Sequence, residues 1–282
     1  MGNPADLGAV WWVKSTAGLY QDLAKTTPCT NGTKVACWAD QISGYDLVQN
    51  SSTNRPTFLT NQFYQFPAVQ FGALPDTALV STHPNFNQPI SYFIVWNRTS
   101  LANTYNIIIA GNTGGTVQFT FAGTNESNSP YLFAGGVASI GHTLAFGVWN
   151  PMMLSFNDGL SYWQEGYPTP TVVSNLNPGN SGIVGGSTLG NYNPLQPYSM
   201  DALVCEASMF DRAFSPDDLN SLLTYYGLTY VPSVTRVALS LSRLALASNQ
   251  VNVIYGAPPS PAPTASWYQR RVSPRQPTDR HG

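Results

Sequence analysis

The chain has 282 residues, of which 43% are hydrophobic and 12% aromatic, enough for a sizeable core and too many for a disordered chain. Only 9% are charged, against roughly 25% in an average soluble domain, and Asn, Ser, Thr and Gln supply the polarity, a surface that suits an extracellular or virion β protein. The formal charge of −2 hides a division: residues 1–232 hold six Lys or Arg against thirteen Asp or Glu, whereas residues 233–282 hold six Arg against Asp279 alone, a basic arm on an acidic body.

The first residues, Met1-Gly2-Asn3-Pro4-Ala5-Asp6, have neither the positive nor the apolar region of a secretory leader. Asp6 stands where a myristoylation site needs Ser or Thr. The expectation is a trimmed leader or release by lysis or assembly.

Cys29 and Cys37 flank the turn signal Asn31-Gly32, so a hairpin disulfide between them is a candidate, with two free thiols the alternative. Next comes Val35-Ala36-Cys37-Trp38-Ala39-Asp40-Gln41-Ile42-Ser43-Gly44, where Asp40 is expected to pin its loop through backbone hydrogen bonds. Arg55-Pro56-Thr57-Phe58 and Pro67-Ala68-Val69-Gln70-Phe71 follow. Tyr92-Phe93-Ile94-Val95-Trp96 and Ile107-Ile108-Ile109-Ala110 are apolar runs of strand length, as expected for strands covered on both faces. Val117, Phe119 and Phe121 alternate with Thr116, Gln118 and Thr120, which predicts a half-buried strand.

Residues 127–157 carry no charge but are interrupted by glycines, His142, Asn150 and Pro151, so buried strands are expected and no membrane span. Asn157-Asp158-Gly159 predicts a tight hairpin between residues 152–156 and 161–164, with Asp158 a turn residue. Gly182-Ile183-Val184-Gly185-Gly186 comes next. Cys205, inside Ala202-Leu203-Val204-Cys205, reads as a buried thiol. A single helix closes this part: Ser215 caps it, Pro216 opens it, Asp218 completes the cap, Leu219, Leu222 and Leu223 face inward, and Gly227 is expected to end it.

The ordered series formed by residues 35–44, 55–58, 67–71 and 182–186, Glu206 with Asp211-Arg212, and the closing helix through Tyr225-Tyr226-Gly227-Leu228 resembles the LamG-like jelly rolls of the concanavalin A-like superfamily. The likeness covers residues 8–230. It implies an all-β sandwich over residues 1–232 with one short C-terminal helix, and a strand at residues 182–186 that precedes the loop into the last core strand. In that family the Glu…Asp-Arg pattern is structural, the fold serves adhesion more often than chemistry, and it occurs in phage structural proteins and secreted adhesins.

Beyond the sandwich, residues 233–256 read as short appended strands: Val237, Leu239 and Leu241 share one parity, Leu244 and Leu246 the other, and Val251, Val253 and Tyr255 return to the first. Such strands need a partner edge, this chain's or another's. From residue 257 to 282, six prolines favour an extended arm. Trp267, Tyr268, Arg270, Arg271 and Arg275 are its candidate partner-binding residues, since Trp, Tyr and Arg dominate interface energetics. Four arginines spread along 26 residues are too sparse for a phosphate-tracking surface, so no nucleic acid is expected.

Other chemistry is poorly represented. Sandwich glycosidases carry Glu-x-Asp-x-x-Glu on one strand, which is missing, and Glu126, Glu165 and Glu206 lie in unrelated segments. No Gly-x-Ser-x-Gly elbow or phosphate loop occurs. His83, His142 and His281 with three cysteines and no CxxC give zinc no ligand set. The resemblance makes calcium the one metal to consider, since relatives bind it through loop carboxylates; Asp76, Asp158 and Asp201 are the candidates, though they form no dedicated cluster, and no other cofactor is expected. Trp163 and Tyr192 are candidates for stacking on sugars. The first expectation is a non-enzymatic virion protein, decorating a capsid or forming part of a tail or fibre, anchored to neighbouring subunits or its own copies by the arm and aiding adhesion to host glycans. A secreted carbohydrate-binding module and a glycan-cleaving enzyme are the alternatives.

Overall fold

A computed structural model describes residues 2–72, 77–100, 105–111, 121–125, 129–191 and 198–232. These belong to one of two units, Met1–Arg236, the other being Val237–Gly282. The appended strands, the arm and most of the expected strand at 116–121 therefore lie outside the described residues.

In chain order the strands are β1 (Trp11–Lys14), β2 (Leu19–Tyr20), β3 (Cys37–Trp38), β4 (Leu47–Val48), β5 (Thr57–Phe63), β6 (Phe66–Phe71), β7 (Leu79–Ser81), β8 (Ile90–Ser100) and β9 (Tyr105–Ala110). They continue with β10 (Phe121–Asn125), β11 (Pro130–Phe133), β12 (Val137–Ser139), β13 (Trp149–Phe156), β14 (Ser161–Glu165), β15 (Thr171–Leu176), β16 (Ser187–Leu189) and β17 (Asp201–Phe210). One helix, α1 (Pro216–Tyr230), follows. The first sheet runs β15-β14-β13-β8-β17-β6-β5, with β1 also on β17, and the second runs β12-β11-β10-β9-β16-β7-β4-β3-β2. Every strand pairing within them is antiparallel.

The long apolar runs are explained by three layers. On β8, Tyr92, Ile94 and Trp96 enter the core between the two sheets, whereas Phe93 and Val95 enter a second core between the first sheet and α1. A strand covered on both faces has no polar side to alternate with. On β17 the pattern is broken by a bulge between Val204 and Glu206. Val204 and Ala207 both face the inter-sheet core while Cys205 faces α1, so the extra residue sets two successive side chains, Cys205 and Glu206, on the helix side. Strand β6 pairs with β17 on one side of this bulge and β1 on the other.

The helix begins as its sequence indicates. Ser215 accepts from the Asp218 amide at 3.2 Å while Asp218 accepts from the Ser215 amide at 2.8 Å, a reciprocal cap. Leu222 is buried, and Leu219 and Leu223 are partly so. The expected stop at Gly227 is not observed, because α1 continues to Tyr230. Gly227 serves another purpose: a Cβ there would meet the Tyr167 hydroxyl at 2.3 Å and the ring at 2.8 Å, so glycine permits a ring to lie on the helix backbone. The hairpin of β13 and β14 turns at Asp158, whose φ of 47° fits the Asp-Gly signal. The strand expected at 182–186 is displaced: Ile183 makes an isolated bridge to Phe86, and β16 starts at Ser187. Among the described residues no helix is long and apolar enough to cross a membrane.

Candidate functional site

Asp40 and Glu206 organise the frame around the site. The two Asp40 oxygens accept from four backbone amides: Oδ1 from Trp12 at 2.8 Å and Ile42 at 3.2 Å, Oδ2 from Ser43 at 2.8 Å and Tyr45 at 3.0 Å. This is the loop-pinning role expected from sequence. Glu206 is fully buried beside α1 and accepts from Trp12 Nε1 at 2.5 Å, from the Tyr225 hydroxyl at 3.2 Å and from the Tyr230 hydroxyl. Burial pushes its carboxyl up to about 7, against the opposing pull of the donors Tyr230, Trp12 and Tyr225. Arg212 grips both Asp218 oxygens, at 2.5 and 3.0 Å, and donates to the Leu7 carbonyl at 2.7 Å, which ties the chain start to the helix cap. The Asp218 carboxyl is held down at about 2, chiefly by Arg212.

Tyr230, itself buried, also borders a surface cleft. It lines a cleft of about 460 Å³ together with Thr16, Gln65, Phe66, Thr229 and, at the rim, Tyr64. The β5–β6 turn builds one wall. Tyr64 and Gln65 adopt φ of 51° and 109°, in a two-residue turn that usually employs Asn or Gly. The turn is held by stacking: Phe63 lies 4.7 Å from the Trp149 ring at 9° and 5.8 Å from Tyr230 at 11°, and Phe66 lies 4.9 Å from Tyr230. Tyr64 is left 55% exposed. The cleft thus offers aromatic faces with hydroxyl and amide groups, and among the described residues no carboxylate or cation lines it. Its size is that of a small-ligand site.

Three enclosed polar centres also matter. Glu165, only 7% exposed, accepts from Asn150 Nδ2 and Trp163 Nε1, both at 3.3 Å, and burial lifts its carboxyl to about 7. Arg98, 2% exposed, has its guanidinium carbon 5.1 Å from the Phe146 ring centre, and burial lowers it to about 10. His83 contacts Ser187 Oγ through Nε2 and the Pro84 carbonyl through Nδ1, each at 2.8 Å. That is the geometry of a nucleophile and its base, yet Ser187 has no exposed surface and is closed to a substrate.

Several expected site residues are placed differently. Cys29 and Cys37 are free thiols, so the candidate disulfide is not formed. The reason is topological: β2 runs between them, with Tyr20 bridged to Pro28 on one side and paired with Cys37 on the other. Two strand spacings, roughly 9.5 Å, exceed the reach of a disulfide. Trp163 is fully buried between the sheets and offers no face to a sugar. Cys205 is a buried thiol facing the Pro67 carbonyl at 3.2 Å. Asp201 accepts from the Thr99 and Ser100 hydroxyls, and Asp158 sits in the β13–β14 turn. Among the described residues no three metal-ligating side chains converge. Asp76, Glu126, Tyr192, Trp267, Tyr268, Arg270, Arg271 and Arg275 lie outside the described residues. The cleft was not anticipated. Its signal in sequence is faint, one aromatic at each strand end, Phe63 and Phe66, around Tyr64-Gln65 with no glycine between them.

No protein-family model matches the chain, and no curated protein matches it. Among solved structures it is similar to a GH54 α-L-arabinofuranosidase mutant soaked with 4-nitrophenyl α-L-arabinofuranoside, at 12% identity and a TM-score of 0.53, over 68% of this chain and 50% of that one. The GH54 enzyme soaked with a cyclic sulfate inhibitor gives 12% identity and a TM-score of 0.52 over the same shares. Trypanosoma rangeli sialidase aligns at 10% identity and a TM-score of 0.47, over 83% of this chain and 36% of its own. The chain therefore spans about a third of the sialidase and half of the arabinofuranosidase. The likeness to the arabinofuranosidase, at such low identity, shows the fold alone: two antiparallel sheets packed as a lectin-like β-sandwich.

Proposed function

We propose that this chain is a non-enzymatic adhesive and structural protein: a LamG-like jelly roll that takes a sugar ring against Tyr64 in its cleft, carried on a virion, in the first instance a phage, and tied to neighbouring subunits by its C-terminal arm. The observation that carries the binding role is the exposed Tyr64 above an uncharged aromatic cleft of about 460 Å³. A left-handed backbone at tyrosine costs on the order of 1 kcal/mol, and a strained exposed aromatic beside a cleft is a reason to look for a ligand that uses it. Tyrosine offers a rigid apolar face with a polar tip, the combination that suits one face of a saccharide.

The non-enzymatic reading is supported by where the tunable acids sit. Glycoside cleavage needs two carboxyl groups across one open bond-holding groove, whereas Glu165 and Glu206 lie on opposite faces of the first sheet, Glu165 beside Trp163 of the inter-sheet core and Glu206 against the tyrosines of α1. The assembly role is supported by the charge division between acidic body and basic arm, with Trp267, Tyr268, Arg270, Arg271 and Arg275 as the anchors. The cleft by itself equally favours a secreted carbohydrate-binding module, which would not need the arm. Two comparisons separate these readings. Full-length chain should enter native particles and a chain ending at Gly256 should not; equal incorporation, or no particle association at all, removes the virion role. Tyr64→Ala should weaken glycan binding about tenfold, the upper range for an aromatic contact, and unchanged binding removes the cleft.

A further inference from the structure

Trp96 and Arg98 stand two residues apart on one face of β8, about 7 Å from each other along the strand. Trp96 belongs to the inter-sheet core, so Arg98 points between the sheets as well, at the end of β8. Both are at least 98% buried. Yet among the described residues neither Nη1 nor Nη2 of Arg98, nor Nε1 of Trp96, has an acceptor. Asn150, on the neighbouring β13, is paired with Trp96, and its amide reaches Glu165 on β14. Opposite Arg98 on β17 is Ala202, a small side chain of the inter-sheet core. The ring of Phe146, itself 44% exposed, separates the guanidinium from solvent.

A buried guanidinium with idle donors costs several kcal/mol unless something offsets it. Glu165 and Asp201 act on Arg98 through their charge, but neither closes an ion pair with it. Asp201 is occupied by two hydroxyl donors, and Glu165 is held only by long contacts of 3.3 Å. What completes this centre must accept from Arg98 and Trp96 and donate to Glu165. A hydroxyl group does both. An anion can only accept, and would face two carboxyl groups across the same space.

We propose that Arg98, Glu165, Asn150 and Trp96 form a hydroxyl-reading subsite for a neutral saccharide end, entered past Phe146. This rests on the carbohydrate-binding reading but uses the opposite face of the first sheet from the Tyr64 cleft. The test is a titration of the ¹⁵N-labelled full-length protein, following the indole N–H resonances of its seven tryptophans, with Trp96→Phe identifying the reporter. The probes are galactose, glucose, mannose and arabinose, with glucuronate as the anionic counterpart. At least one neutral sugar should shift the Trp96 resonance saturably. Arg98→Met, of similar length and uncharged, should weaken that response at least tenfold, as should Arg98→Lys, which keeps the charge and loses the fork. Tyr64→Ala should leave it intact. No shift with any neutral sugar, a shift with glucuronate alone, or an undiminished shift in both Arg98 variants overturns the subsite. If Tyr64-dependent binding persists while Trp96 is silent, only the subsite fails; if both are silent, carbohydrate binding itself fails.

Discussion

Glu206→Gln tests whether the carboxyl behind the helix is kept protonated by its surroundings. In the fold it is pushed up to about 7, against 4.5 for the free side chain, because burial penalises the anion more than Tyr230, Trp12 and Tyr225 can stabilise it. As pH rises the unfolded chain releases this proton first. The stability associated with Glu206 is therefore fully present below 4.5 and lost by the time pH has risen through 7. At about 1.4 kcal/mol for each pH unit separating the two states, the loss is about 3 kcal/mol. Glu165, also raised to about 7 by burial, adds a similar share, while His83, lowered by burial, works in the opposite direction. Subtracting the variant's profile from the wild type's removes those common contributions. Gln retains one acceptor oxygen for Trp12 or a tyrosine, so the fold should persist. Urea unfolding followed by tryptophan fluorescence between about pH 5 and about pH 8 should show the wild type losing about 2.5 kcal/mol more than Glu206→Gln, the rest of the loss lying below that range. A difference that stays flat with pH would refute the assignment of a proton to this site.

Asp40→Ala removes the acceptor of four backbone amides, and should lower stability by about 3 kcal/mol, seen as a reduced urea midpoint; a loss below about 1 kcal/mol would show that water replaces the carboxylate. Gly227→Ala gains about 1 kcal/mol of helix propensity but drives a methyl into the Tyr167 ring, so a net loss of about 1–2 kcal/mol is expected, and a stabilised variant would mean the ring swings away freely. Unfolding the chain without reductant should expose three thiols to Ellman's reagent, because Cys29, Cys37 and Cys205 are all free; a count of one would restore the disulfide.

What could be read from the sequence was mostly local. The cap at Ser215 to Asp218, the turn at Asp158 and the loop held by Asp40 each depend on a few neighbouring residues whose hydrogen bonds are dictated by side-chain type. The apolar run of β8 was equally legible, since only a strand covered on both faces would lack polar alternation. The misses come from long-range pairing. Gly227 carries the usual mark of a helix end, and only the Tyr167 ring, brought in by the β14–β15 connection, shows why glycine is needed within the helix. Cys29 and Cys37 looked like hairpin partners until β2 is placed between them. Trp163 could not be assigned to the inner face without knowing that both faces of the first sheet are covered.

The site was less legible for a different reason. Tyr64-Gln65 has none of the residues that normally announce a left-handed turn, because the conformation is imposed by the stacking of Phe63 and Phe66 on Trp149 and Tyr230 rather than by local preference. The clearer signal was scarcity. In a chain with 9% charged residues, a single arginine inside an eleven-residue strand is conspicuous, since a protein that can place neutral Asn, Ser or Thr almost everywhere else has little structural need for a buried guanidinium. Burying Arg98 is costly and replacing it with an apolar residue of the same length would remove that cost. Its retention two residues from an idle Trp96 indole is therefore better explained by something it binds than by the stability of the sandwich, and Arg98→Met decides between the two: a variant that is more stable than the wild type but deaf to sugar supports recognition, whereas one that unfolds by several kcal/mol more readily makes Arg98 a part of the frame.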